Sequence, residues 1–191
     1  IDNKTRPGQS IAIAVGSRGI HALLPIVVTL IDYLQARGLK PFVMPAMGSH
    51  GGATVEGQVE VLRQLGITES AVGAAIIADM DVIQLGTLAS GAKVFMARQA
   101  VEADQLMVVG RIKPHTAFRG EVESGLCKML VIGCGKQKGA ATMHKYGLGD
   151  SIIPAAEMLL KEAPVLGGLA VVENAYGAMH TLTAVPPEAF V

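Results

Sequence analysis

The sequence predicts an α/β fold: a mainly parallel, Rossmann-like sheet with helices on both faces. Three observations predict it. Over residues 10–66, short apolar runs alternate with segments of helical period, several of them ending in glycine. That order of strand, helix, strand, helix builds a parallel sheet with covering helices. Half of the residues are hydrophobic, only 4% are aromatic and 23 are Gly, a composition of Val/Ile/Leu strands joined by Gly-rich loops. The length, 191 residues, suits one domain with a sizeable core.

The elements follow in order. "SIAIAVG" (10–16) is an apolar β-type run that ends in Gly, as a buried parallel strand does. In "HALLPIVVTLIDYLQARG" (21–38), Ile26, Leu30, Tyr33 and Leu34 recur at helical spacing and Gly38 supplies a stop. "KPFVMPAMG" (40–48) is the next strand. "TVEGQVEVLRQLG" (54–66) is a helix with Val55, Val59, Leu62 and Leu65 on one face. "DVIQLG" (81–86) and "AKVFMAR" (92–98) suit an antiparallel pair. "QLMVVGR" (105–111) and "MLVIGCG" (129–135) read as strands, "SIIPAAEMLLKEA" (151–163) as a helix, and "LGGLAVVENA" (166–175) as a segment ending in a strand.

Composition excludes several classes. The 16 basic and 16 acidic residues balance, and no Lys/Arg block occurs, so nucleic-acid binding has no electrostatic support. Mean hydropathy is +0.43, yet the most apolar run, "ALLPIVVTLI", contains Pro25 and is shorter than the roughly 20 residues of a membrane span. It reads as a buried helix, and no membrane association is expected. Cys127 and Cys134 form no CxxC motif, and two cysteines beside nine methionines suit a reducing cytoplasm. No signal peptide is visible; the chain begins at Ile, which leaves a removed leader possible. Its end, "TAVPPEAFV", does not look like a natural stop. The expectation is one cofactor-binding domain over 1–191, part of a longer two-domain protein.

Two Gly-rich loops follow strands directly: "GSRG" (16–19) and "GSHGGAT" (48–54). Ligands of parallel sheets bind at the carboxyl ends of strands. Glycines there let backbone N–H groups approach an anion; equally, they serve tight turns that need positive φ. Neither loop matches GxGxxG or a phosphate-binding P-loop. His50 sits in the second loop, as a functional or a capping residue. His115 follows a strand after Pro114. Two histidines at separate strand ends of a parallel sheet point to one rim, where imidazole exchanges protons near neutral pH. Lys128 leads into an apolar run, where it is either an ordinary surface lysine making weak ion pairs or one that faces a ligand or carries a depressed pKa. His144 falls on a short helix, where an exposed role competes with a site role. Arg18, beside Gly19, is a candidate anion ligand, and Glu123 either orients a neighbour or is solvated. No carboxylate pair, GxSxG elbow, HExxH or CxxC is present. Any metal would draw most of its ligands from elsewhere.

"GSH" at 48–50, "KPHTAFRG" at 113–120, "ESGLCKM" at 123–129 and "MHKYG" at 143–147 together resemble the N-terminal domain of the nickel-pincer-nucleotide-dependent lactate racemase family. The family's interval of sixteen residues from lysine to histidine is kept from Lys128 to His144; the interval from His115 to Lys128 is a few residues longer than in the family's best-known member. The resemblance implies a 2-hydroxy acid racemase or epimerase working by reversible hydride transfer. Its cofactor would be a pyridinium mononucleotide carrying two thio groups, joined to Lys128 through a thioamide. Nickel, Ni(II), would sit in a sulfur–carbon–sulfur clamp completed by His144, a ligand set that suits this metal. His50 and His115 would be the acid–base pair, one for each hand of the substrate. Arg18 would hold cofactor phosphate or substrate carboxylate, with Ser17 and Gly48 in the cofactor-binding loops. The implied partners are a small-molecule 2-hydroxy acid, a C-terminal domain of the same protein that closes on the site, and cofactor-synthesis enzymes. Where the family's first loop carries an acidic residue, this chain has Val15, so the resemblance does not carry lactate itself. Two other readings are a dehydrogenase-like enzyme with a free nicotinamide cofactor and a non-catalytic nucleotide- or metal-binding domain.

Overall fold

The computed structural model describes residues 4–114 and 124–191. Its centre is a five-stranded sheet. Strand β1 (Ser10–Val15) pairs in parallel with β2 (Lys40–Pro45) on one side and β5 (Gln105–Arg111) on the other. Beyond β5 lie β6 (Val165–Glu173), parallel, and β7 (Met179–Val185), antiparallel, in the order β2-β1-β5-β6-β7. The chain thus runs outward from β1 to β2 and then returns to the other side of β1. The sheet reverses its winding between β1 and β5, the place where open α/β sheets form a crevice.

Alternation along β1 divides the core. Ile11, Ile13 and Val15 face a cluster that includes α1 (Leu23–Gln35), with Leu62 of α2 (Val55–Gln64) and Val72 of α3 (Glu69–Val72). Ala12 and Ala14 face the opposite cluster, built from α6 (Lys136–Tyr146), α7 (Leu148–Glu162) and the hairpin of β3 (Val82–Thr87) and β4 (Lys93–Ala97). Short α4 (Arg98–Glu102) links that hairpin to β5. A period of two puts successive side chains on opposite faces, so both faces must be covered, and helices cover both. The run containing Pro25 is helix α1, buried through Leu23, Ile26, Val27, Leu30, Ile31 and Leu34; its proline sits in the first turn, where no intrahelical N–H is needed. Among the described residues no helix is long and apolar enough to cross a membrane.

Three expectations need correction. The apolar run 129–135 is not a strand. It continues α5 (Leu126–Lys128) as a π-helical turn, Met129–Gly133. Periodicity does not separate a short buried strand from a buried helical turn. Here Gly125, at φ +106 with Ile112 where a Cβ would go, and Gly133, whose Cβ would lie 2.6 Å from the Ala46 carbonyl, let the turn pack against the ends of β5 and β2. On α2, Val59 is exposed at 36% while Gln58 is fully buried; the buried face contains a polar residue because that residue has buried partners. On α1, Tyr33 is 39% exposed, and the Arg37 guanidinium lies 3.5 Å over its ring.

Candidate functional site

A half-open cleft of about 200 Å³ lies at the carboxyl edge, at the crossover between β1 and β5. Its walls come from segments distant in sequence. After β1 come Gly16, Ser17 and Arg18; after β2, Met47 and His50; from β5, Arg111 and, just beyond, Lys113. The helical segment 126–133 closes one side with Lys128, Met129 and Ile132. Gly16 and Gly110 line its base, where a Cβ on either would approach the Met129 side chain to 3.3 and 3.2 Å. Side chains larger than hydrogen would fill the space under the π-helical turn.

The cleft is electropositive. Arg18, Arg111, Lys113 and Lys128 line it, and no described carboxylate does. Arg111 is neutralised by an ion pair to Glu173 at the end of β6. Glu173 also accepts the His21 backbone N–H at 2.6 Å, just before α1. That N–H first, and then Arg111, hold the Glu173 carboxyl below its usual range. A carboxylate already occupies the anion-attracting entry to the first helix. Lys128 is half-buried. Desolvation first, then the like charges of Arg18 and Lys113, hold its ammonium below the ordinary 10.5. More of this amine is neutral near pH 8 than of an ordinary lysine.

His50 and Ser17 meet across the cleft edge: Ser17 Oγ and His50 Nδ1 share a hydrogen bond of 2.5 Å. With Nδ1 engaged, Nε2 remains as the second proton-exchange position of the ring. Gly48 lies beneath the cleft wall rather than on it. It is buried at φ +59, and its N–H donates to the Gly133 carbonyl at 3.2 Å. With Gly51 and Gly52 also at positive φ, the turn requirement accounts for the glycines of this loop. His144 is exposed on α6 and does not line the cleft. His115 and Glu123 lie outside the described residues. Lys113 and Ser124 are hydrogen-bonded: the Ser124 hydroxyl donates to the Lys113 carbonyl at 2.6 Å and accepts its N–H at 3.0 Å.

The structure thus brings together Ser17, Arg18, His50 and Lys128. It adds Arg111, Lys113 and Glu173, which sequence reasoning passed over. Arg111 and Lys113 carry a signal, two cations spaced by two at the end of the apolar strand 105–111. Lys136 carries none. It is fully buried at φ +54, and its Nζ donates to the Pro45 carbonyl at 2.6 Å and to Gln58 Oε1 at 3.0 Å. The thiols are chemically quiet. Burial pushes Cys127 up to about 11 and Cys134 up to about 12, so both stay protonated at neutral pH. Among the described residues no three His, Cys, Asp or Glu side chains group as metal ligands.

Fold and cleft define a doubly wound α/β domain with a lysine-bearing, cationic crevice at its switch point. The chain belongs to the lactate racemase N-terminal domain family, whose model matches residues 1–152. Its fold is also that of the lactate racemase apoprotein from Thermoanaerobacterium thermosaccharolyticum, with 19% identity and a TM-score of 0.66. The match covers 96% of this chain and 47% of that one, so the chain spans about half the length of that racemase. No curated protein matches the chain.

Proposed function

We propose that this chain is the cofactor-binding domain of a 2-hydroxy acid racemase or epimerase that uses a lysine-linked nickel-pincer nucleotide. The observation that supports it most is Lys128: an amine with a lowered pKa, in a cationic crevice at the sheet's switch point whose walls also include His50. The donor chemistry fits the group. A mononucleotide brings an anionic phosphate, for which Arg18 and Lys113 are suited, and Lys128 is a nucleophilic amine for the covalent link. The cofactor would bring its own sulfur donors, so the protein need add one imidazole rather than a ligand cluster; the family position for it is His144, which stands on α6 outside the cleft lining. When bound, the group supplies the hydride acceptor at the substrate's C2.

The chain's own residues then have separable tasks. His50 removes or returns the proton of the substrate hydroxyl through Nε2 while Ser17 holds Nδ1. His115 serves the opposite hand. A cation of the rim pairs with the substrate carboxylate. The other half of the full-length protein, as a C-terminal domain, closes the crevice, and cofactor-synthesis enzymes load it. A free dinucleotide bound at the first helix is disfavoured, because Glu173 already holds that position. The test is the intact mass of full-length protein produced with the cofactor-synthesis enzymes. Wild type and His144→Ala are expected to carry the adduct, with nickel lost from His144→Ala on dialysis. Lys128→Ala is expected to carry none. Unmodified wild-type protein that still racemises a 2-hydroxy acid would overturn the covalent link.

A further inference from the structure

Lys136 is the largest fully buried side chain of the described residues, and neither the fold's hydrophobic core nor the cleft chemistry uses its charge. Burying an ammonium is costly unless its protons are satisfied. Here two of its three protons have acceptors, and both acceptors lead to the rim loop after β2. One acceptor is the carbonyl of Pro45, the last residue of β2. The other is Gln58 Oε1, on the first turns of α2. Gln58 is fully buried too, and its amide is used at both ends. While Oε1 accepts from Lys136, Nε2 donates to the Gly48 carbonyl at 2.9 Å and to the His50 carbonyl at 3.3 Å. A continuous chain therefore runs from α6 through Lys136 and Gln58 to the backbone of the residue whose ring meets Ser17. The loop's glycines pack through backbone alone, with Gly51 against Gly57 and Gly48 against Ile132. Gly48, Gly51 and Gly52 have no side chains and all sit at positive φ, a backbone that is entropically costly to hold.

We propose that Lys136 and Gln58 are positioning residues for His50, fixing the 48–50 loop so that the imidazole stays in register with Ser17 and the cleft. This rests on the reading of His50 as the proton-transfer residue. Neither side chain lines the cleft, so both act through the loop backbone. The amide must be a glutamine for this purpose. A carboxylate would satisfy Lys136 but offers no N–H to Gly48 and His50.

That asymmetry provides the test. In full-length, cofactor-loaded protein, Gln58→Glu keeps a partner for Lys136 and removes both donors to the loop. Two readouts are taken together: the tautomer and titration of His50 in histidine-¹⁵N-labelled protein, and turnover of a 2-hydroxy acid. The expected result is a changed His50 tautomer balance and a titration displaced from that of the parent. Turnover is expected to fall by about 10- to 100-fold, the scale of an ångström-size misplacement. The double variant Gln58→Met/Lys136→Met, which leaves no buried charge, is expected to give the same His50 change. A folded variant whose His50 signals match the parent overturns the proposal, whatever its turnover. Altered His50 signals with parental turnover uphold the brace and remove His50 from the proton transfer. If both variants fail to fold, the pair is a core brace only and the proposal falls.

Discussion

Lys128 shows how a residue's chemistry is set by its neighbours. In water a lysine amine is protonated almost completely at neutral pH. Partial burial removes water from the charged form, and Arg18 and Lys113 add repulsion. Both effects favour the neutral amine, which is the nucleophile. The direction gives a pH prediction. The rate of acylation of Lys128 by an amine reagent, read by peptide mass, should rise with pH and level off below the ordinary 10.5. Lys113→Met removes one of the like charges, so the levelling point should move up toward that value. A parent protein that levels off at 10.5, or a variant that moves it down, contradicts the electrostatic account.

At the scale of elements, the helical stretch from Leu126 through the π turn to α6 carries both the half-buried lysine of the cleft, Lys128, and the fully buried Lys136 beneath it. Burial pushes the Lys136 ammonium down to about 8 from 10.5, with Cys134 and Asp79 pulling weakly the other way. Below about 8, Lys136 is charged in folded and unfolded chains alike, and the folded protein bears the whole desolvation cost. Between about 8 and 10.5 the unfolded chain holds a proton that the folded one has released, so this group makes stability rise with pH. Over that window the rise is on the order of 3 kcal/mol. Cys127 and Cys134, raised above 9.0, work in the opposite sense above that pH. The useful quantity is therefore the difference between parent and Lys136→Met in urea unfolding at pH 7, 8, 9 and 10. The gap between them should change with pH in the sense that the parent gains on the variant. A constant gap would show that Lys136 does not lose its proton in the folded protein.

For the whole molecule, the crevice exists because β1 has neighbours reached by opposite routes. The loops after β1, β2 and β5 open on one edge, since these strands are parallel. Their side chains sum to a cationic field in a cleft whose described lining holds no carboxylate. Nicotinate mononucleotide is a fair probe of that field. Its binding to unloaded full-length protein, followed by calorimetry, should weaken as salt is raised, because screening acts on partly exposed charges. Arg18→Ala and Lys113→Ala should each weaken it roughly tenfold, the scale of one charge-assisted hydrogen bond. Salt-independent binding, or variants that bind like the parent, would place the phosphate elsewhere.

The alternating pattern from 10 to 66, the apolar strand at 105–111 and the antiparallel pair at 81–98 are legible in the sequence, because hydrophobic period reports local geometry directly. So are Ser17, Arg18 and His50 as residues of one rim: a parallel sheet sends every strand's carboxyl end to the same edge; Lys128, read as leading into a strand, reaches that rim only because 126–133 is helical. Local sequence did not separate a strand from a π turn at 129–133, since the two are equally apolar there and only the contact with Ala46 and Ile112 decides between them. Nor did it reveal that Gln58 and Lys136 are buried. A glutamine on a helix and a lysine after a glycine read as solvated residues, and 78 positions separate them. What the sequence by itself determined is the order of most elements, the edge on which the loops after β1 and β2 open and the residue types available there. Which of those side chains meet, which charges are compensated and which loop is braced from below were decided by tertiary structure alone. Each depends on desolvation and on partners supplied by segments far apart in the chain.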